Sequence, residues 1–332
     1  MDLYIKSFNR AYLLHRTLES IRQNLIGFDG RIILLDDGTP ELLLTELLKT
    51  YPNIEIRKSP DYLEKSQAIL SNTTPKNVIP TVFWKEEVMK GTDCFILLED
   101  DTWFSEPVDF QTLREEVKHM KMDMVKFMWL GNKKLISKNQ TTTAKYVSQV
   151  VPELWTRNSV LFDSIFKTNR FKGKLLFKLF YNFEEELFKY YQLYIVAGGV
   201  FSKRYYQTCW ENSFDKVDEL QQISQLLKSK EVYNVGNTVQ EVLKTTIKTT
   251  SSLMAKEHLG STVAVHKINQ ILNKAWLEGN RYPINDFKND LPTTWIEKQL
   301  ENHSEGGKSM IDEWRNWYKD FETSYQKIGC NF

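Results

Sequence analysis

Apolar positions along the first 130 residues follow two different spacings. Short apolar or alternating runs, typical of strands, stand at 2–6, 31–36, 54–58, 94–99 and 124–130. Between them, apolar residues recur at spacings of three and four, as Leu14, Leu18 and Ile21 do, which is typical of helices. The alternation predicts an α/β fold with a mostly parallel, doubly wound sheet flanked by helices.

Helix boundaries in this region follow from capping residues and prolines. Asn9 is expected to cap the helix that follows the first strand. Thr39 and Pro40 are expected to begin the second helix, and Pro80 and Gly91 to bound a later one.

The second half of the chain is less regular. Residues 165–195 are dense in Phe, Tyr and Lys, a GGVF stretch follows at 198–201, and 262–332 has a mostly helical pattern. We therefore expect a nucleotide-binding and catalytic domain over 1–265 and a helical C-terminal extension over 266–332.

Composition excludes several classes of protein. The 44 basic and 43 acidic residues leave a formal charge of +1, so no general attraction to nucleic acid is predicted. Cys94, Cys209 and Cys330 are far apart and lack the spacing of a disulfide framework or zinc cluster. No apolar run approaches the ~20 residues that span a bilayer. The expected location is the cytoplasm, with at most a peripheral position on the inner face of the membrane.

Three adjacent carboxylates, Glu99, Asp100 and Asp101, end the apolar run FILLEDD. Like charges so close repel each other and require a positive partner. In extended backbone, Glu99 and Asp101 would share one side of the chain and Asp100 would take the other. Because the carboxyl ends of parallel strands meet at one ligand-binding edge, a hard divalent cation bound to a diphosphate is the favoured partner. The alternative is a turn cap with solvated neighbours.

The DDGT stretch at 36–39 is similar to the phosphatase signature of the haloacid dehalogenase family. That signature begins with a nucleophilic Asp, and Leu35 stands at this position here, which excludes the activity. Asp36 or Asp37 could instead accept hydrogen bonds from a base or ribose. A simple turn with a helix cap is the alternative for Gly38 and Thr39.

Four motifs occur in a recognisable order: SFNR, ILLDDGT, FILLEDD and AGGVFS. Together they resemble the GT-A glycosyltransferases, closest to the family 2 pattern with its Asp-x-Asp metal motif. The Glu-Asp-Asp triplet is also similar to that of the N-acetylglucosaminyltransferase I type. The resemblance covers residues 2 to about 265 and implies the GT-A, Rossmann-like fold.

The resemblance implies a set of site residues. Asp101 would coordinate Mn²⁺ or Mg²⁺ on a nucleoside diphosphate, Glu99 would be an indirect ligand, His258 would touch metal or phosphate, and Asp100 would lie near the ribose or sugar. The implied nucleotide-binding residues are Ser7, Asn9, Asp36, Asp37, Lys65 and Asp100. The sequence departs from the family after Lys65, where SQA lacks the usual Asn.

Gly198 and Gly199 allow backbone to approach a sugar or acceptor closely, with a bulge or tight strand packing as the alternative. The catalytic base is expected in WENSFDKVDEL, with Asp218 first and Asp215 and Glu211 after it. Each of these acids could instead cap a helix.

The stretch 167–191 interleaves lysines with Phe and Leu. Basic amphipathic sequence of this kind can lie on an anionic membrane surface, which a lipid-linked acceptor would require. A core helix with solvated lysines is the alternative.

The sequence thus predicts a metal-dependent, inverting glycosyltransferase for surface polysaccharide synthesis. It would transfer a sugar from a nucleotide sugar, a UDP-sugar being favoured, to a saccharide or glycolipid acceptor. A sugar-nucleotide pyrophosphorylase is a rival, although SFNR lacks the glycine-rich loop that such an enzyme needs. A non-catalytic carbohydrate-binding or scaffold protein on the same fold is the other.

Overall fold

A mixed nine-stranded sheet with helices packed against it forms the centre of the protein. The computed structural model describes residues 1–168, 173–212, 216–249, 265–303 and 307–331. In these residues the sheet has the strand order β4-β3-β1-β5-β11-β8-β12-β10-β9. The predicted α/β fold, with a helical C-terminal region, is confirmed.

The strands of the main sheet are short. They are β1 (Asp2–Ser7), β3 (Ile32–Asp36), β4 (Ile54–Lys58), β5 (Cys94–Glu99), β8 (Met124–Lys126), β9 (Gln140–Thr143), β10 (Val147–Val150), β11 (Gly199–Ser202) and β12 (Val235–Thr238). Two small ribbons pair β2 (Leu25–Ile26) with β7 (Val108–Asp109) and β6 (Thr102–Phe104) with β13 (Leu243–Thr245).

The helices fall into three groups along the chain. The N-terminal group is α1 (Ala11–Asn24), α2 (Glu41–Thr50), α3 (Tyr62–Leu70), α4 (Thr81–Lys90) and α5 (Phe110–His119). The middle group is α6 (Ser159–Phe162), α7 (Gly173–Lys178), α8 (Phe183–Tyr190), α9 (Lys203–Cys209) and α10 (Glu219–Lys228). The C-terminal group is α11 (Val265–Leu277), α12 (Thr293–Glu301) and α13 (Gly307–Lys327).

The parallel part of the sheet is its N-terminal half. Strands β4, β3, β1 and β5 are parallel neighbours, so the loops that follow them lie at one edge. Strand β11 is antiparallel to both β5 and β8, which gives β8 the direction of β5 and places the start of β11 at that same edge. The motifs at the ends of β1, β3 and β5 therefore converge with the glycine pair.

Strand β5 is buried on both faces, as its continuous apolar sequence predicts. Ile96 and Leu98 belong to one hydrophobic cluster, whereas Phe95 and Leu97 belong to the other. All four side chains are completely buried. The strand therefore lies at the centre of the protein, and the carboxylates that follow it emerge directly from the core.

The C-terminal helices share a core with the sheet. Leu272 of α11, Leu300 of α12 and Trp314 of α13 are fully buried in the cluster that contains Ile96. Trp276 of α11 donates a hydrogen bond through Nε1 to Nδ1 of His15 at 2.8 Å. These helices therefore stabilise the N-terminal region directly.

Two local predictions are wrong. Asn9 does not cap α1, because the cap position is Arg10 and Asn9 has a left-handed φ of 52°. The fifth predicted strand ends at Lys126 rather than at 130. Beyond it, Leu130 and Gly131 take left-handed φ values of 55° and 67°, which turn the chain out of the sheet.

Within the described residues, no helix has both the length and the apolarity needed to cross a bilayer. The thiols of Cys94, Cys209 and Cys330 are unpaired.

Candidate functional site

The loops after β1, β3 and β5 are tied together at the carboxyl edge of the sheet. The amide of Asp37 donates to the carbonyl of Ser7 at 3.0 Å, and the amide of Asp100 donates to the carbonyl of Lys6 at 3.0 Å. The amide of Phe8 donates to Oδ2 of Asp100 at 3.0 Å. The SFNR, DDGT and EDD motifs therefore form one polar cluster.

Two cations form ion pairs with the acidic triplet. Arg10 places Nη2 2.5 Å from Oδ1 of Asp100 and Nη1 2.6 Å from Oδ2 of Asp101. Lys6 places Nζ 2.8 Å from Oε1 of Glu99. The expected alternation of sides is wrong, because residues 100 and 101 lie in a turn after the strand, where both Asp side chains converge on Arg10.

The triplet keeps one negative charge in excess, since three carboxylates face two cations. Burial raises the pKa of Asp101 to about 7, with the charges of Glu99 and Asp100 adding to the rise and Arg10 opposing it. Oδ1 of Asp101 is buried and has no hydrogen-bond partner among the described residues. Burial also acts against ionisation of Glu99, but the nearby Lys6 lowers the pKa of that carboxyl. Asp101 is therefore the acid of the triplet that keeps a carboxylate oxygen free to accept a further partner.

Asp36 and Asp37 have different roles. Asp36 is fully buried, and its carboxylate accepts the amides of Gly38 and Thr39 at 3.0 and 2.7 Å and the Thr39 hydroxyl at 2.6 Å. It therefore holds the turn. Asp37 accepts from Nζ of Lys65 and from the Ser59 hydroxyl, each at 2.6 Å. The structure thus brings together two residues that the sequence assigns to the nucleotide pocket, Asp37 and Lys65.

A glycine is required at position 38, next to the ion pair between Asp37 and Lys65. Its φ of 135° is left-handed, and a Cβ at this position would lie 2.6 Å from Cβ of Lys65. A side chain there would push helix α3 away from the loop after β3.

Helix α11 supports the loop after β1. Nδ2 of Asn273 lies 2.9 Å from both the carbonyl oxygen and Oδ1 of Asn9, and the amide of Asn9 donates to Oγ1 of Thr39 at 2.9 Å. Ser7 and Asn9 are both buried beside the triplet. Both predicted pocket residues therefore lie at this edge.

The glycine pair has a structural cause in the sheet. A Cβ on Gly199 would lie 2.3 Å from the carbonyl oxygen of Val125 on β8. Gly198 has a left-handed φ of 84°, and its amide donates to the carbonyl of Leu97 at 2.7 Å. Tight strand packing, the alternative considered above, accounts for Gly199, and its role toward an acceptor stays a prediction.

The two adjacent acids at the start of α10, Asp218 and Glu219, have different hydrogen-bond partners. Oδ1 of Asp218 accepts from the amide of Gln221 at 3.0 Å and so caps the helix. Oε2 of Glu219 accepts from the Tyr191 hydroxyl at 2.7 Å. Burial and the charge of Glu99 raise the pKa of Glu219, while the Tyr191 hydrogen bond and Lys126 oppose the rise. Asp218 is therefore occupied by the helix cap, whereas Glu219 is bound by Tyr191 and is subject to the charge of Glu99.

Lys126, on β8, is a buried lysine. Its buried Nζ donates to the carbonyl of Leu135 at 3.0 Å and to the carbonyl of Tyr191. Burial lowers its pKa to about 7, although the charge of Glu219 opposes the shift. Lys126 thus fixes the backbone of the residue whose hydroxyl binds Glu219.

The remaining predicted residues are separate from this cluster or are not described. Glu211 is exposed just beyond α9. Asp215 and His258 lie outside the described residues.

Asp101 fits a hard cation as a single protein ligand. In the described ranges, no group of three or more His, Cys, Asp or Glu side chains is arranged as a metal centre. Mg²⁺ in nucleotide sites is commonly held by one or two carboxylates, with phosphate oxygens and water completing the shell. The partnerless Oδ1 of Asp101 and the excess negative charge fit that arrangement.

Sequence reasoning did not find Arg10, Lys6, Glu219 or Tyr325. Burial and the charge of Glu219, with smaller contributions from Glu99 and Asp101, raise the pKa of Tyr325 on α13 to about 12. Arg10 has a local signal, because it follows the first strand by three residues and the triplet needs a cation. Tyr325 has none, since it lies on α13, far along the chain from these acids.

Comparisons with known proteins give remote structural similarity. A search of protein-family models found no match, and neither did a search of curated proteins. Among solved structures, S. aureus TarS matches with a TM-score of 0.41 and 9% identity over 99% of this chain, which spans 55% of the TarS chain. TarS 1–349 in complex with UDP matches with a TM-score of 0.40 and 10% identity, over 98% of this chain and 92% of that one. The bifunctional glycosyltransferase WbbM matches with a TM-score of 0.32 and 13% identity, over 68% of this chain and 37% of that one.

Proposed function

We propose that this protein is a glycosyltransferase that uses a nucleotide-sugar donor. The observation that carries the proposal is the convergence, at one sheet edge, of the Asp37–Lys65 pair with the Arg10–Asp100–Asp101 cluster. Ligands of open α/β sheets bind beyond the carboxyl ends of the strands. Both charged groups lie at that position.

The two groups suit the two ends of a nucleoside diphosphate. Asp37 offers a carboxylate that can accept hydrogen bonds from a base or ribose. Arg10 offers a planar guanidinium, which binds phosphate oxygens well. In the proposed complex, Arg10 would exchange part of its contact with Asp101 for the diphosphate.

Asp101 would hold Mn²⁺ or Mg²⁺ through its partnerless Oδ1. When bound, that ion would offset the negative charge of the diphosphate leaving group. Lys6, which is held by Glu99, would contribute further positive charge from a fixed position, which costs little reorganisation during the reaction.

Glu219 is the proposed general base. Its carboxylate would take the proton of the acceptor hydroxyl, whose oxygen forms the new bond to the anomeric carbon as the bond to the diphosphate breaks. The raised pKa of Glu219 brings it closer to the working pH, and Tyr191 holds its orientation. Attack opposite the leaving group would invert the anomeric configuration.

The test is donor consumption by the purified chain. UDP-, GDP- and dTDP-sugars would be incubated with Mn²⁺ and a panel of saccharide and glycolipid acceptors, and released nucleoside diphosphate would be measured. We expect acceptor-dependent release from at least one donor, and a UDP-sugar is favoured. Nucleotide binding with no release for any pair would favour the non-catalytic alternative. Formation of nucleotide sugar from sugar phosphate and nucleoside triphosphate would favour the pyrophosphorylase.

A further inference from the structure

Helices α6 and α7, with the turn after α7, expose an unusual number of large apolar side chains. We define the apolar patch as the following six exposed residues: Val160 (69%), Leu161 (47%), Leu175 (59%), Leu179 (68%), Phe180 (80%) and Tyr181 (46%). Single exposed apolar residues are common, but six of them concentrated in one segment of the chain point to an interaction surface.

The same segment also has a stable apolar interior. Phe162, Phe166, Phe177 and Phe183 are buried in one aromatic cluster, with ring centroids of Phe166 and Phe177 5.3 Å apart. The core-helix alternative is therefore correct for these residues but not for the patch. Because the segment has its own buried anchor, the exposed side chains are additional to what folding needs.

The charge of the segment selects the partner. From 157 to 181 the sequence has six basic residues and one acidic residue, a net charge of +5. Of the three acids that follow, Glu185 lies 3.3 Å from Lys134 and Glu186 lies 2.7 Å from Lys189, and Glu184 is exposed. Exposed apolar residues interleaved with lysines are the composition of a surface that lies in the interface of an anionic membrane.

We propose that the apolar patch and its lysines dock this protein on an anionic lipid bilayer. A second copy of the chain is a poorer partner, because a two-fold interface would place the same positive surface against itself. Insertion of Leu179 and Phe180 among the lipid chains would leave Lys174 and Lys178 at the level of the anionic headgroups.

The patch is connected to the helix that carries the proposed base. Nζ of Lys167 donates to Oε1 of Gln221, and Nζ of Lys228 lies 3.2 Å from Oδ2 of Asp163. Both contacts join the patch segment to α10, whose first residue is Glu219. Resting on the proposed function, this connection implies an acceptor linked to a lipid; membrane docking itself does not depend on that function.

Vesicle co-sedimentation of the full chain tests the proposal. Phosphatidylcholine vesicles with and without phosphatidylglycerol would be compared at low and high salt. We expect binding to the anionic vesicles only, with a decline at high salt, because salt screens the attraction. Leu179→Ser with Phe180→Ser, and separately Lys174→Glu with Lys178→Glu, should each reduce the partition coefficient by about tenfold or more.

A matched control separates docking from general hydrophobicity. Leu63 and Leu70 on α3 are 70% and 68% exposed, so Leu63→Ser with Leu70→Ser removes two highly exposed apolar side chains elsewhere and should leave binding unchanged. No binding at low salt, equal binding to neutral vesicles, or unchanged binding in the patch variants would overturn the proposal. A dimer in light scattering that the patch variants dissociate would also overturn it, in favour of self-association. UDP binding, measured on the same samples, reports separately on the proposed function.

Discussion

Arg10 binds Asp100 and Asp101 at the same time, with Nη2 2.5 Å from Asp100 Oδ1 and Nη1 2.6 Å from Asp101 Oδ2. The side chains of all three residues are nearly or fully buried. One guanidinium therefore forms ion pairs with two buried carboxylates, and Lys6 forms an ion pair with the third acid of the triplet.

Replacement of Arg10 by Met should strongly destabilise the protein, because two carboxylates would remain buried without their cation. Breaking a buried ion pair in this way typically costs about 3 to 5 kcal/mol. Arg57→Met is the control, since Arg57 is half exposed in its pair with Glu55 and should cost less than about 1 kcal/mol. Urea unfolding measures both. A loss for Arg10→Met as small as that of the control would contradict the assigned role.

Asp37 and Lys65 should be energetically coupled. Lys65 is 2% exposed and Asp37 7% exposed, and their ion pair is 2.6 Å long. Lys65→Met should therefore destabilise the wild type more than it destabilises the Asp37→Asn variant. A double-mutant cycle from urea unfolding should give a coupling of about 1 kcal/mol or more. Additive effects would show that the pair does not act as a unit.

Glu219→Gln should lower sugar transfer by about 10² to 10⁴ while nucleotide affinity stays within error, as loss of a general base does. Asp218→Asn is the control, because Asn caps helices as well as Asp does and should keep the rate. Transfer kinetics and calorimetry of the nucleotide measure the two properties. If Asp218→Asn instead lost sugar transfer and Glu219→Gln kept it, Asp218 would be the general base.

The pH dependence of transfer follows from the raised pKa of Glu219. A base acts when deprotonated, so kcat/KM should fall with decreasing pH below a pKa higher than the ordinary glutamate value of about 4.3. In Glu219→Gln, the residual kcat/KM should no longer fall in this pH range. If the fall persists in the variant, it belongs to another group.

His15 should make stability depend on pH. Burial lowers its pKa to about 4, and its Nδ1 accepts a hydrogen bond from Trp276. The unfolded chain, with a pKa of about 6.5, binds the proton first, so stability falls from pH 6.5 toward 4 by about 3 kcal/mol. His15→Asn can keep the Trp276 hydrogen bond and should flatten that part of the profile. If urea unfolding shows the same dependence of stability on pH in the wild type and in His15→Asn, the assignment of this dependence to His15 is contradicted.

The sequence predicted the parts of the fold that depend on local spacing. Continuous apolar runs located β3 and β5, and the rule for parallel strands placed Asp37 and Asp101 at one edge. Prediction from the sequence failed where contacts between residues far apart in the chain determine the local conformation. Asn9 takes a left-handed conformation because Thr39 and Asn273 hold it, and Asn273 lies 264 residues away along the chain.

The choice between Asp218 and Glu219 shows the same limit. Both acids lie at the start of the same helix, Asp218 as its cap and Glu219 as its first residue, and they are adjacent in the sequence. What separates them is Tyr191, whose hydroxyl binds Glu219 and whose backbone carbonyl is bound by Lys126. Neither contact can be read from spacing, because each joins segments that are far apart in the sequence.

Titration calorimetry with nucleoside diphosphates tests the central claim most directly. UDP, GDP and dTDP would be titrated into the wild type and into Asp37→Asn and Asp101→Asn, with and without Mn²⁺. The Asp-to-Asn changes keep the side-chain shape, and Leu42→Ser, at an exposed position of α2, serves as a control. We predict saturable binding of at least one nucleotide in the wild type and the control. Asp37→Asn should weaken that binding about tenfold or more, as expected for the loss of a charged hydrogen-bond acceptor. The wild type should gain affinity with Mn²⁺, and Asp101→Asn should not. Absence of binding for all three nucleotides, or equal affinity in all the variants, would contradict the account.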